Sequence, residues 1–189
     1  MHSLSVTITV ATLAFVGTML DDFFAFAAQL VLTPQDMHKR VGAAQVLGVM
    51  SLVLISAVVG SVLLSVPLRW IGVLALAPWA LAFHAWQHRS DPTRQKYRRS
   101  SLTTFAVTLA LGGDNLAVWI PLLRANNAFR EVLTIALFAL WEGVFLTAAR
   151  LLVNRPRVIE WGIKFSRSLV PVVYLGLGFL ILAECGTFA

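Results

Sequence analysis

LALGGDNLAVWIP (Leu109–Pro121) sets two glycines, an aspartate and an asparagine inside a stretch that is otherwise almost wholly apolar. A second acidic doublet lies in GTMLDDFFAF (Gly17–Phe26), in equally oily surroundings. Carboxylates among Leu, Ala, Val and Phe are costly to bury unless something compensates their charge. The reading of these two stretches turns on the solvent around them.

That solvent is a bilayer. The chain of 189 residues is 58% hydrophobic and 13% charged, with a mean hydropathy of +0.80. Ordinary soluble domains carry about 25% charged residues, and a core of this size cannot hide so much apolar surface. Val41–Leu68 and Trp70–His88 contain no Asp, Glu, Lys or Arg. Apolar stretches also cover 4–32, 101–123, 132–149 and 168–184. At roughly 20 residues per membrane helix, six helices nearly exhaust the chain. The fold class expected is all-α and integral to the membrane, with no separate soluble domain. MHSLSVTITV lacks the basic start of a signal peptide, so it reads as part of the first helix. The lone Cys185 cannot form a disulfide within the chain, and two-cysteine zinc motifs are absent.

The net charge of +6 does not indicate nucleic acid, because the bases lie on one side. With six helices, Lys39, Arg40, Arg89, Arg94, Lys96, Arg98, Arg99, Arg150, Arg155, Arg157, Lys164 and Arg167 share a side, against Arg69, Arg124 and Arg130 on the other. The positive-inside rule makes the first side cytoplasmic. The expectation is a multi-pass plasma-membrane protein with both termini outside.

The basic linker 89–100 divides the chain into 1–88 and 101–189, three helices each. An odd number of helices per half inverts the second half, as in inverted-repeat transporters. Asp21-Asp22-Phe23 overlays Asp114-Asn115-Leu116, each in the first helix of its half. Asp114 lies 13 residues after Ser101, about 20 Å along a straight helix, and Asp21 about 25 Å from Leu4. Both approach the middle of the hydrocarbon, where ionisable residues mark an ion or proton route. Gly112-Gly113, with Pro121 beyond, predicts a broken helix whose freed carbonyls face a cation; helices 1 and 4 are thus expected to carry their acids at a broken midplane. No basic residue lies at comparable depth, so the counter-charge is best supplied by a bound cation or by protons.

The motifs TMLDD (Thr18–Asp22), GAAQVLG (Gly42–Gly48), WIGVLALAPW (Trp70–Trp79), LALGGDNLAVWIPLL (Leu109–Leu123) and VPVVYLGLGFLILAECGT (Val170–Thr187) resemble the cadmium resistance transporter family of the lysine-exporter superfamily. The resemblance spans nearly the whole chain, and the GGDN segment is its most specific part. It implies six helices in two inverted repeats and export of a divalent metal, cadmium first. It carries metal-site roles to Asp21, Asp22, Asp114 and Asn115, with Gln45 as a helper. The chain departs from the family at Met19 and Leu111, where members often carry asparagine.

Thr18, Asp21 and Asp22 stand at i, i+3 and i+4, on one face of a regular helix. With Asp114 and Asn115 they offer three carboxylates, an amide and a hydroxyl. Such an oxygen set suits Mg²⁺, Ca²⁺ or Mn²⁺ better than cadmium. Glu142, in ALWEGVFL, either exchanges a proton for a metal ion or sits neutral and hydrogen-bonded to a neighbouring helix. Gln45 in helix 2 occupies the comparable place in the first half; an interhelical hydrogen bond is its plainer role. His84 and His88, beside Trp86, read as interfacial residues rather than a metal pair, as do Trp70 and Trp161. Cys185 reads as a packing residue, and Gly176 and Gly178 as sites of close helix approach.

The leading class is therefore a secondary metal exporter. No G-x-x-x-x-G-K-[ST] motif occurs, so ATP is not a direct energy source within this chain. The metal is substrate and no cofactor is called for. The alternatives are export of manganese, zinc or calcium, or of a small cationic solute such as an amino acid. A membrane enzyme lacks a histidine-rich or nucleophile motif at this depth, and a non-transporting subunit is the fourth class. Small transporters often form homodimers, but no motif here assigns one.

Overall fold

The computed structural model describes residues 4–67, 70, 72–87 and 101–185. Among these, every regular element is a helix: α1 (Leu4–Val31), α2 (His38–Val62), α3 (Leu76–Gln87), α4 (Ser101–Leu111), α5 (Gly113–Ala125), α6 (Ala128–Leu152) and α7 (Pro156–Glu184). Short 3₁₀ turns flank α2 at Gln35–Met37 and Leu63–Ser65, and another, Gly72–Ala75, leads into α3. The expected linker 89–100 and His88 lie outside the described residues.

Among the described residues, three segments are long and apolar enough to cross a membrane: Leu4–Val31, Gln35–Ser65 and Ala128–Leu152. Two bent pairs raise the number to five when each is one span. Thr104–Ala110 with Gly113–Ala125 bends by 61°, and Pro156–Ser166 with Ser168–Ala183 by 47°. Of the expected third helix, the described residues show an apolar helical piece over Val73–His84. The last helix starts earlier than its apolar stretch suggests. Pro156 begins it, where proline's fixed φ is favourable and its missing N–H costs nothing.

The surface is that of a protein dissolved in lipid. Leu13, Leu47, Leu54, Leu140, Leu151 and Phe179 are exposed, while Thr18, Gln29, Gln45, Asn115 and Glu142 are buried. Large exposed apolar area of this kind marks a membrane-facing surface, and small and polar side chains inside supply the packing and hydrogen bonds that hold membrane helices together.

Ring contacts give the helix directions. Phe15 meets Phe138 at 5.4 Å and Phe23 meets Phe145 at 5.2 Å, so α1 and α6 run parallel. Phe15 also stacks on Trp119, whereas Gln29 bonds Thr104, so α1 runs antiparallel to the α4–α5 pair. The C-terminal ends of α1 and α6 therefore share one end of the bundle. Exposed Lys39, Arg40, Arg150, Arg155 and Arg157 gather there, and the Arg150 guanidinium reaches Gly42. At the opposite end the Arg124 guanidinium donates to the carbonyls of Leu63 (2.9 Å), Leu64 (3.2 Å) and Val66 (3.0 Å), clamping α5 onto the end of α2.

Helix contacts cross between the halves. α1 packs on α6 as α4 and α5 pack on α2; α1 packs on α7 as α5 packs on α3; α3 packs on α7. Lengths do not match so well: α3 has 12 residues and α7 has 29.

Candidate functional site

The site is built around the break between α4 and α5. Gly112 sits there with φ −75° and ψ 16°, and a Cβ at this position would overlap the Leu52 side chain of α2. Only glycine lets α2 come so close to the turn. Gly113 faces open space, beside Asp114. The chain breaks at Gly112 and not at Pro121, which stays inside α5. A bend of 61° also means that Asp114's depth cannot be read along one straight axis.

α1 differs from the expectation. It is continuous through Asp21 and Asp22, so only the second acidic motif stands at a break. The reason is local. TMLDDFF contains no glycine, and the Thr18 hydroxyl donates to its own helix, to the carbonyl of Ala14 (3.0 Å) or Phe15 (3.3 Å). That bond spends the Thr18 proton inside α1 instead of on a shared site.

Asp114 lies in the first turn of α5, where the helix dipole and free N–H groups favour an anion. Its Oδ1 accepts from the Asn115 backbone N–H at 2.9 Å, and its Oδ2 accepts from the Tyr174 hydroxyl of α7. Tyr174 is buried and held there by close packing of α1 on α7, where a Cβ at Gly17 would overlap Val173. Gly17 and Asp21 are i and i+4, so Asp21 shares the α7-facing side of α1. Among the described residues, however, no three His, Cys, Asp or Glu side chains converge to hold a metal ion by themselves. Asp114 meets Tyr174 and Asp21 shares the α7-facing side, but the acids do not close on one point.

Asp22 faces another way. With Gln29 of α1, Gln45 of α2 and Thr108 of α4 it lines a cavity of about 30 Å³, which also touches Ala25, Phe26 and Val107. A cavity of this size accepts a water molecule or a small ion. Gln45 Oε1 accepts from the Thr108 hydroxyl at 2.8 Å, the interhelical bond that was its plainer expectation. Gln29 Nε2 donates to the Thr104 hydroxyl at 2.6 Å. Polar side chains from three helices thus meet at one seam.

Glu142 and Asn115 stand apart from all this. Each is 1% exposed. Neither carboxylate oxygen of Glu142 has a hydrogen-bond partner, and neither end of the Asn115 amide has one. The reading of Glu142 as bonded to a neighbouring helix is therefore not what the fold displays. Each such buried group costs about 1–3 kcal/mol, more when charged.

Tyr174, Gln29, Thr104 and Thr108 are the members that the sequence reading missed. Signals for them exist: Thr104 and Thr108 are i and i+4 on α4, Gln29 is two turns beyond Asp22, and Tyr174 is one of only two tyrosines. His84, Trp70 and Trp161 are exposed on the surface. Cys185 is buried among core residues and Gly178 packs against Trp79, while Gly176 has open space before it.

A family model described as cadmium resistance transporter matches residues 15–189. No curated protein and no solved structure matches the chain.

Proposed function

The chain belongs to the cadmium resistance transporter family, and from that premise we propose that it is a secondary exporter of a divalent cation, cadmium first, working through the acids at the α4–α5 break. The family is one of transporters and not of enzymes. The observation that carries the reading is the buried Tyr174 hydroxyl, which donates to Asp114 Oδ2 in the first turn of α5, on the α7-facing side that Asp21 of α1 shares. A divalent ion that keeps part of its water fits acids that do not close on one point, and a transporter must release what it binds.

In this reading Asp21, Asp22, Asp114 and Asn115 are the metal-site residues, with Thr18 and Gln45 as helpers, and Glu142 exchanges a proton for the ion. The chain is two inverted repeats, 1–88 and 101–189. The antiparallel run of α1 against α4–α5 and the crossed helix contacts support that arrangement. The end carrying Lys39, Arg40, Arg150, Arg155 and Arg157 is cytoplasmic by the positive-inside rule, which puts both termini outside the plasma membrane.

Uptake into liposomes holding the purified protein and a metal-sensitive dye tests the reading, with Cd²⁺ beside Mn²⁺, Zn²⁺ and Ca²⁺. Cadmium flux is expected in the wild type and a loss of about tenfold to a hundredfold in Asp114→Asn, the worth of one charge-assisted contact. Equal flux in the two proteins overturns the role of Asp114. Movement of manganese or calcium alone transfers the proposal to a harder ion, which the oxygen donors favour. No metal flux in either protein sends the search to small cationic solutes.

A further inference from the structure

Glu142 and Asn115 lie on different helices, yet the ring contacts put them at one level. Phe15 (α1), Trp119 (α5) and Phe138 (α6) form a mutual aromatic layer, with centroids 4.9–5.9 Å apart. Step one helical turn from each toward the interior of the bundle. On α1 the residue is Met19, on α5 it is Asn115, and on α6 it is Glu142. A second aromatic layer bounds the far side, where Phe145 meets Phe23 and Phe26. Met19 is midway between Phe15 and Phe23, as Glu142 is between Phe138 and Phe145. The three thus occupy one slab between two aromatic layers, and all are almost wholly buried.

The halves of the chain support the grouping. Asp22 and Asn115 occupy the same position in the two acidic motifs. Asp22 and Gln45 line one cavity. The Asn115 amide and the Glu142 carboxylate have no hydrogen-bond partners, nor has the Trp119 indole N–H one turn from Asn115.

We propose that Met19, Asn115 and Glu142 form a second cation station, next to Asp114 and sharing Asn115 with the metal site proposed above, and that its thioether makes it the one that selects a soft divalent ion. This rests on the proposed function above and deepens it. The donor chemistry is one carboxylate, one amide oxygen and one sulfur. Carboxylate and amide oxygens alone suit hard ions, while a thioether favours softer ones. A divalent cation here supplies both groups with the partner they lack. The aromatic layers keep water away and strengthen each contact. Two adjacent stations beyond the Gly112 break, at Asp114 and at Asn115, give an ion a place to leave to, as multi-site conduction requires.

The test uses tag-free full-length protein in nanodiscs, carrying Cys185→Ser so that no thiol remains, and Cd²⁺ or Mn²⁺ alone as the probe. Two Cd²⁺ per chain are expected, with a sulfur neighbour in the cadmium X-ray absorption spectrum. Met19→Leu, close in size, is expected to lose the sulfur signal and weaken one binding step tenfold or more. Glu142→Gln is expected to weaken the same step and spare the other. Asp114→Asn is expected to keep the sulfur signal. Mn²⁺ is expected to fill one station. A sulfur-free wild-type spectrum, or sulfur that survives Met19→Leu, overturns the proposal. Cadmium flux that still depends on Asp114 would then leave the exporter reading standing. Absence of any bound Cd²⁺ removes both.

Discussion

Asp22 with Gln45 and Asn115 with Glu142 are two acid–amide pairs inside the bundle, and they are finished differently. Around the first pair the protein supplies partners and room. Thr108 donates to Gln45, Gln29 and Thr104 extend the polar seam, and a cavity of about 30 Å³ stays open beside Asp22. Around the second pair it supplies aromatic walls and no hydrogen bonds to either side chain. The same acid and amide chemistry is satisfied by protein in one half and left for a guest in the other. Part of the reason is backbone. α4 and α5 separate at Gly112, which turns Asp114 toward the Tyr174 hydroxyl and leaves Asn115 facing inward, while α1 runs straight through Asp21-Asp22.

The largest expected effect comes from removing the carboxylate that has no partner. Glu142→Leu is expected to abolish cadmium flux and, in metal-free protein, to raise stability by about 1–3 kcal/mol, because replacing an unpaired buried polar group by an apolar one removes its desolvation cost. Thermal unfolding in detergent beside the liposome assay reads both. A variant that is less stable than the wild type would show that Glu142 is satisfied after all, and the contrast between the halves would fail.

Gly112→Ala attacks the backbone cause. A methyl there overlaps Leu52, and overpacking of this kind costs about 1–3 kcal/mol. Leu52→Ala in the same chain is expected to return much of that loss, since it empties the space that the methyl needs. If Gly112→Ala is harmless alone, the break does not depend on the close approach of α2.

Tyr174→Phe is milder. Asp114 keeps the Asn115 N–H and the helix N-terminus but loses the hydroxyl, worth about 0.5–1.5 kcal/mol. Cadmium affinity is expected to fall about threefold to tenfold. Titration of the purified variant decides it, and unchanged affinity would remove Tyr174 from the site.

Much of this was legible in the chain itself. Apolar runs placed most of the spans, and the buried acids stood out because a bilayer tolerates them only for a reason. Gly112-Gly113 announced the break. What stayed hidden depended on partners distant in sequence. Tyr174 lies 60 residues from Asp114, and Gln29 lies 75 residues from Thr104. A tyrosine or glutamine in an apolar helix says nothing of which carboxylate or hydroxyl it will meet. Met19 read as a lost asparagine, because its neighbours on α5 and α6 come from two chain segments that only the aromatic contacts bring level. The short α3 was unreadable for a different reason: an uncharged stretch sets an upper bound on helix length and says nothing of where 3₁₀ turns interrupt it.

The smallest effect is the one that tests the satisfied pair. Thr108→Val removes the hydroxyl that holds Gln45 and keeps the side-chain shape. Side-chain hydrogen bonds between membrane helices average about 0.6 kcal/mol, so stability is expected to change by no more than that and cadmium flux by less than about threefold. The cavity beside Asp22 survives, and the freed Gln45 oxygen can turn to a water within it. Glu142 has no such recourse, because its slab is closed above by Trp119 and Phe138 and below by Phe145. If Thr108→Val instead silences transport while the protein stays folded, then Gln45 is held for the ion and not for the fold. The two pairs would then be equivalent halves of one path, in place of a finished seam opposite a waiting station.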